Sequence, residues 1–243
     1  MRGSDKLTGQ LSGLFVVDKP EGPTSMGIVA RVRRLAGGAR TGHSGTLDPL
    51  ATGVLVLGLG SATRALTMLT GLDKRYLTTI DLSSFTTTDD RAGTLLPVDV
   101  ARPPERDEVD AALAKFRGAI LQAPPAFSAV KVGGQRAYAL ARAGRAPELA
   151  PRPVVVHSIA LRNFVWPCAE IEIHCGKGFY VRRLARDLGA VLGTGGHCLS
   201  IRRTAVGPYT LEHARPMEGI ERIQQEDLLP APTAAPPGHG AVG

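Results

Sequence analysis

The sequence predicts an α+β fold built on a mixed sheet. Two observations carry this. Short runs of strand type follow one another directly, as in Val154 to Leu161 and then Ile171 to Cys175, while helical patterns fall between other strands at irregular intervals. Regular alternation would instead indicate a doubly wound parallel sheet. The chain has 243 residues, 43% of them hydrophobic, enough for one large domain or two small ones with a sizeable core.

The elements follow in order. Residues 1–10 are polar and read as a flexible N-terminus. Leu14 to Val17 reads as a strand and Lys19 to Pro23 as a turn. Thr24 or Ser25 then caps a helix with Ile28, Val32 and Leu35 at helical spacing, closed by Gly37 and Gly38. Gly45, Pro49 and Gly53 punctuate a turn holding Asp48, and Val54 to Leu57 is a continuous apolar run, the pattern of a strand buried on both faces. Ser61 caps a helix with Ala62, Ala65, Leu66 and Leu69 on one face. Tyr76 to Leu82 reads as a strand, and Phe85 to Gly93 as a Thr/Asp-rich loop. Asp107 starts a helix with Val109, Ala112, Leu113 and Phe116 inward, and Gly118 lies just past its end.

Phe127 to Val132 and Val154 to Leu161 read as strands, with a basic, glycine-punctuated stretch (Lys131, Arg136, Arg142, Arg145) between them. Ile171, Ile173 and Cys175 alternate with polar residues, a half-buried strand. A helix over Phe179 to Gly189 turns Val181, Leu184, Ala185 and Leu188 inward, and Ser200 to Val206 reads as a final strand. Residues 230–243 hold four prolines and three glycines, so the tail reads as disordered.

Charge narrows the function. Lys and Arg total 29 against 22 acidic residues, a net charge of +7 that favours a polyanionic partner, nucleic acid ahead of a membrane surface. Cys168, Cys175 and Cys198 form no C-x-x-C pair, which argues against a disulfide framework and a zinc site and reads as small buried hydrophobes in a reducing, cytoplasmic setting. The N-terminus shows no secretory apolar region, and no apolar run approaches membrane-spanning length.

Several motifs fall short. Gly42-His43-Ser44-Gly45-Thr46 lacks the last glycine of a nucleophile elbow. No Walker A or complete dinucleotide fingerprint occurs, and the six histidines show no metal-binding spacing. On the helix after Gly178, Arg183 and Asp187 stand at i, i+4 and pair. Arg182 and Arg186 also stand at i, i+4 with like charge, an arrangement that costs about 0.2–0.5 kcal/mol unless an anion lies nearby; Asp48 or an RNA phosphate would supply one. Tyr76 beside Lys74 and Arg75, and Tyr180 beside Lys177 and Arg182, are rings that can stack on unpaired bases while the cations hold phosphate.

These residues fall in six ordered blocks: Lys19 to Ser25, His43 to Leu55 continuing to Arg64, Lys74 to Tyr76, Gln122 to Lys131, Gly178 to Arg182, and Ile201 to Arg203. Together they resemble the bacterial tRNA pseudouridine synthase B family over roughly residues 11–212. The resemblance implies a pseudouridine synthase fold, a mixed and mostly antiparallel sheet flanked by helices with a central active-site cleft. It implies isomerisation of a uridine in the tRNA T-loop (position 55) to pseudouridine by base flipping, since the reacting bond is inaccessible in a stacked loop. Asp48 is then the catalytic carboxylate, paired with Arg182, and Tyr76 stacks on the target base. His43 contacts the T-loop, Tyr180 and Ile201 line the uracil pocket, and Lys19 and Arg64 bind substrate. No cofactor or metal is implied. The partner is tRNA through its T-loop and T-stem, with no membrane and no obligate protein partner, the enzyme acting as a monomer in the cytoplasm.

Two departures stand out. Thr87 occupies a position in the Thr/Asp loop that usually holds aspartate, and Ser83 replaces a usual glycine, which questions local loop contacts. Residues 213–243 are too short and too rich in proline and glycine for the usual C-terminal RNA-binding domain, so weaker tRNA binding is expected. Competing readings are a tRNA-binding or tRNA-folding factor with incidental catalysis, and a guide-RNA-dependent synthase of the same superfamily.

Overall fold

The computed structural model describes residues 11–232 except 126, 129, 146 and 148. The expected flexible N-terminus, residues 1–10, lies outside these.

The first half of the chain builds one end of the sheet. Strand β1 (Gly13–Lys19) leads to helix α1 (Ser25–Leu35), and β2 (Thr41–His43) to β3 (Thr52–Leu59). Thr24 caps α1, its hydroxyl accepting from the Gly27 amide at 3.0 Å, and the inward face is Ile28, Val29 and Val32. β3 is apolar throughout because both its faces are buried. Leu55, Leu57 and Leu59 join the main core, while Val54 and Val56 join a smaller one on the opposite face with Leu14 and Val16. A 3₁₀ turn over Gly60–Ala65 runs into α2 (Leu66–Thr70), where a single helix was expected.

The middle adds β4 (Lys74–Asp81), a hairpin of β5 (Ser84–Thr86) with β6 (Leu95–Pro97), α3 (Arg106–Ala114) and β7 (Gly118–Gln122). A Glu105–Glu108 capping box starts α3, whose buried residues are Val109, Ala112 and Leu113. Of the strand expected over Phe127 to Val132, two residues form, β8 (Lys131–Val132), paired with β9 (Gln135–Arg136); α4 (Ala137–Arg142) follows. Phe127 and Ser128 belong to no strand: the Phe127 carbonyl accepts from Arg182 and Ser128 lines the central cavity.

The last part supplies β10 (Arg152–Val165), β11 (Cys168–Cys175), α5 (Val181–Leu192), β12 (His197–Val206), β13 (Tyr209–Thr210) and β14 (Arg215–Pro216). α5 buries Val181, Leu184, Ala185 and Leu188 against β12 and β4. Burying its Val and Leu side chains is worth about 1.5–3 kcal/mol each. It ends at Gly193, whose φ of +70° is the left-handed conformation glycine adopts without penalty.

The strand order is β14-β1-β3-β12-β4-β11-β10-β7, with β2 added to β3 and β13 to β12. β1 with β14 and β3 with β12 are parallel; the other pairs are antiparallel. The sheet is thus mixed and mostly antiparallel, as the resemblance implied.

The expectation of a loose segment from residue 213 is corrected as far as residue 232. β14 pairs with β1, Leu229 exchanges backbone hydrogen bonds with Leu14 at 2.7 and 2.8 Å, and Met217 and Ile223 are buried in the main core. Two buried apolar side chains and the backbone pairing anchor a segment that otherwise has the composition of a linker. The remainder of the expected tail, residues 233–243, lies outside the described residues.

Candidate active site

The loop between β2 and β3 places Asp48 at the wall of a cavity of about 300 Å³. Three contacts hold that loop. Lys19 Nζ donates to the carbonyls of Pro20 (2.8 Å), Pro49 (3.3 Å) and Ala51 (2.7 Å). Ser25 Oγ accepts from the Leu47 amide at 2.8 Å and donates to its carbonyl at 2.9 Å. Arg203 Nη2 donates to the Gly45 carbonyl at 3.2 Å.

Lys19, expected to bind substrate, is 0% exposed and its amine is committed to backbone carbonyls, where it shapes the Asp48 loop. Burial lowers its pKa to about 8, with Asp48 the first of the charges opposing that shift.

The Asp48 side chain is 36% exposed and faces Arg182, whose Nε donates to Oδ2 at 2.8 Å. Arg182 projects from the first turn of α5 and is itself buried. Its other nitrogens donate to the Thr88 carbonyl at 3.0 Å and the Phe127 carbonyl at 2.8 Å. One guanidinium thereby joins three loops, and Asp90 Oδ2 lies 3.8 Å from the same Nε. One turn along, Arg186 donates to Asp89 at 2.9 Å, while Arg183 pairs with Asp187 at 2.8 Å as its spacing predicted. The like charges of Arg182 and Arg186 are therefore matched separately, by Asp48 and Asp90 for the first and by Asp89 for the second.

That loop is ordered despite its two departures. Asp90 Oδ1 accepts from Thr88 Oγ1 at 2.6 Å and the Ala92 amide at 3.0 Å, and Ser83 donates to Asp81 through both its amide and its hydroxyl. Thr87 supplies its own contact, its hydroxyl accepting from the Thr94 amide at 3.0 Å. Asp89 takes a φ of +60°, a conformation aspartate tolerates better than most residues.

Tyr76 on β4, Tyr180 at the start of α5 and Ile201 on β12 all line the cavity with Asp48 and Arg182. Burial raises the Tyr76 phenol pKa, opposed chiefly by the Arg203 guanidinium that donates to it. Burial likewise raises that of Tyr180. His43 and Arg64 are not lining residues: Arg64 is exposed on the 3₁₀ turn, and His43 ends β2 half-buried, its Nδ1 accepting from the Gly45 amide at 3.2 Å. Burial lowers the His43 pKa, assisted by Arg203. The basic stretch lies on β8, β9 and α4; the side chains of residues 131, 136 and 142 are outside those described, and Arg145 is exposed.

Three contributors escaped sequence reasoning. Arg203 is 2% exposed, and Nε donates to the Val54 carbonyl at 2.7 Å, so it braces both Tyr76 and the Asp48 loop. Its backbone also presses on Gly53, where an added Cβ would lie 2.2 Å from the Arg203 carbonyl oxygen. Buried Gln122 clamps Tyr180, accepting from its amide at 2.8 Å and donating to its carbonyl at 3.1 Å. Ser128 lines the cavity with a buried hydroxyl that has no hydrogen-bond partner among the described residues. Position in the quoted blocks was the available signal for all three, and it carried no role.

Chemically, the arrangement is a half-exposed carboxylate fixed by an arginine, facing an aromatic ring in a cavity of polar and apolar walls.

Comparison with known proteins gives two family matches. Residues 33–181 match the TruB family pseudouridylate synthase N-terminal domain, and residues 182–230 match the tRNA pseudouridylate synthase B C-terminal domain. A tRNA pseudouridine synthase B of Arthrobacter sp. (strain FB24) is 46% identical over 237 residues, covering 94% of this chain and 77% of that protein. One from Nocardia farcinica is 50% identical over 214 residues, covering 86% and 70%. Among solved structures, a Cbf5-Nop10-Gar1 complex matches with a TM-score of 0.67 and 28% identity over 84% of this chain, which spans about half (52%) of that chain's length.

Proposed function

Because the chain belongs to the TruB family of pseudouridylate synthases, we propose that it isomerises a uridine of the tRNA T-loop to pseudouridine, with Asp48 as the catalytic carboxylate. The observation that carries the assignment is the Arg182–Asp48 pair, 2.8 Å apart at the wall of a cavity that Tyr76 also lines.

The reaction conserves composition. The bond from uracil N1 to ribose C1′ breaks, the base turns within the site, and C5 bonds to C1′. The C5 proton leaves and N1 gains one from solvent. Asp48 serves this either as nucleophile at C1′ or as base at C2′, and both routes need a carboxylate held against the sugar. Arg182 orients it without competing for both oxygens, since only Oδ2 is bonded. Tyr76 offers the flipped base a ring face, kept in place by Arg203. Tyr180 and Ile201 wall the base, and Ser128 Oγ is available to a uracil edge. Arg64, exposed, and His43, at the approach to the Asp48 loop, are read as contacts to the RNA outside the cavity. None of these steps calls for a cofactor.

Identity favours tRNA over a guide-dependent substrate: the tRNA synthases are 45–50% identical to this chain, the Cbf5 structures 25–28%. A tRNA substrate and three free cysteines support a cytoplasmic setting. No helix among the described residues is long and apolar enough to cross a membrane.

Tritium release from C5-labelled uridine in a T-loop stem-loop tests the proposal. Wild type should release label and Asp48→Asn should not. A silent wild type ends the enzymatic reading; an Asp48→Asn variant at full rate ends the role of Asp48.

A further inference from the structure

A second cluster of chemistry-bearing side chains stands beside the cavity without lining it. Asp73 ends the turn ahead of β4, and its carbonyl accepts from the Gly207 amide at 2.8 Å, which fixes its backbone. Its carboxylate faces two imidazoles, with Oδ1 3.2 Å from His157 Nε2 and Oδ2 3.8 Å from His174 Nε2. The ring centres are 4.7 Å apart and the planes tilted by 45°.

A β-bulge makes this possible. Val156 pairs with Cys175 and Ser158 with His174, so β10 advances two residues while β11 advances one. His157 is the extra residue, and the bulge turns it towards His174. Cys175 is not part of the cluster: its buried thiol contacts the Lys74 carbonyl. Lys74 Nζ is committed to the carbonyls of Thr70 and Leu72 at 2.6 Å each, which leaves the carboxylate to the imidazoles.

One ligand atom from each of the three side chains lies within 4.8 Å of the others. A cation about 2.0–2.2 Å from each ligand atom separates them by about 3.0–3.5 Å. The Oδ1–His157 spacing already fits, while His174 stands 3.8 Å from the other oxygen, so closing on one ion draws the three ligand atoms, now within 4.8 Å of one another, together by up to about 1.3 Å through side-chain rotation. The side chains are half-buried, hence pre-positioned yet open to solvent. Two imidazoles with one carboxylate suit a transition metal such as zinc better than magnesium or calcium, which take all-oxygen sites.

We propose that Asp73, His157 and His174 form a site for one divalent transition-metal ion of the zinc class, its fourth position open to water. The ion ties β4, β10 and β11 together where they approach the cavity, next to the lining residues Lys74 and Gly176. It braces the scaffold and takes no part in the isomerisation. The three ligands are far apart in sequence, so local spacing could not reveal them.

The test uses the untagged full chain stripped with chelator, titrated calorimetrically with Zn²⁺ and spectroscopically with Co²⁺. The expected result is one Zn²⁺ per chain, visible d–d bands of a four-coordinate Co²⁺ site, and a raised melting temperature with Zn²⁺. His157→Gln and Asp73→Asn should each weaken binding about tenfold or more, and His213→Gln, outside the cluster, should not. Metal-free melting curves establish that the variants are folded. Absence of Zn²⁺ binding by wild type overturns the site, as does unchanged affinity in both cluster variants.

Discussion

Replacing Arg182 with lysine keeps the charge beside Asp48 and removes the fork. The three nitrogens of Arg182 reach Asp48, Thr88 and Phe127 in three directions, at 2.8, 3.0 and 2.8 Å. A lysine ammonium is a single point on a flexible stem and cannot serve all three loops. Two charged hydrogen bonds to carbonyls are lost, each worth about 1.5–3 kcal/mol. Water from the adjoining cavity can rehydrate those carbonyls, which places the loss near the lower bound, about 3 kcal/mol in all. For a chain of this size that lowers the melting temperature by about 6–12 °C. Activity should fall further. A carboxylate displaced by about 1 Å loses about a hundredfold in rate, and here the lost bonds are those that dock its neighbouring loops. Substrate affinity should fall less than rate, because the Arg182 side chain is buried and its three nitrogens are committed to protein oxygens. Thermal melts, single-turnover tritium release and filter binding of tRNA separate these effects. A variant that melts lower yet turns over at the wild-type rate would refute the claim that Arg182 positions Asp48.

Lys19→Met tests the buried amine through pH. The folded-state pKa of Lys19 is about 8 against an ordinary 10.5, so between those values the unfolded chain holds a proton the folded one lacks. Stability then rises with pH; the penalty is complete below pH 8 and relieved towards 10.5, about 3 kcal/mol in all. Denaturant melts of wild type against Lys19→Met over this range should show wild type gaining, and parallel curves would contradict the burial effect. Gly53→Ala places a Cβ 2.2 Å from the Arg203 carbonyl oxygen at a φ of +99°, so it should destabilise by about 2 kcal/mol or more and slow turnover by moving the Asp48 loop; an alanine variant that melts with wild type would show that the β3–β12 contact yields freely. Gln122→Ala removes both bonds to the Tyr180 backbone and should cost about 1–3 kcal/mol, measured by thermal melts, with restoration by Gln122→Glu limited to the bond from the Tyr180 amide.

Much of this was legible in the sequence because it depends on local pattern. The apolar run Val54 to Leu57, the capped helix after Thr24 and the inward face of α5 are fixed by periodicity and end signals. The Arg182–Asp48 pair was legible only through the family resemblance, since the like-charge repeat on α5 left open whether Asp48, a phosphate or solvent met those charges. What could not be read was direction. Lys19 sits at a Lys-Pro turn that looks exposed, but its amine points inward, and sequence carries no sign of that. Arg203 reads as one more surface cation, although its carbonyl partners lie on β3 and the Asp48 loop, a contact made only by strand pairing. β7 was missed because four of its five residues are exposed or partly exposed and show no alternation. Linker-like composition likewise hid the packing of Met217 and Ile223.

The pairing of β1 with β14, and of Leu14 with Leu229, also bears on how the protein is made. β1 leaves the ribosome early, yet the segment that covers its outer rim emerges after the other strands of the described residues. Until then its amides and carbonyls are open to a strand from another molecule, the usual start of sheet-to-sheet aggregation. The Asp48 loop is tied to β1 directly through the Lys19 amine and the Ala51 carbonyl. Docking of the Arg215–Leu229 segment on β1 thus comes late relative to β1, and a nascent chain halted before it should depend on chaperones far more than one in which it has docked.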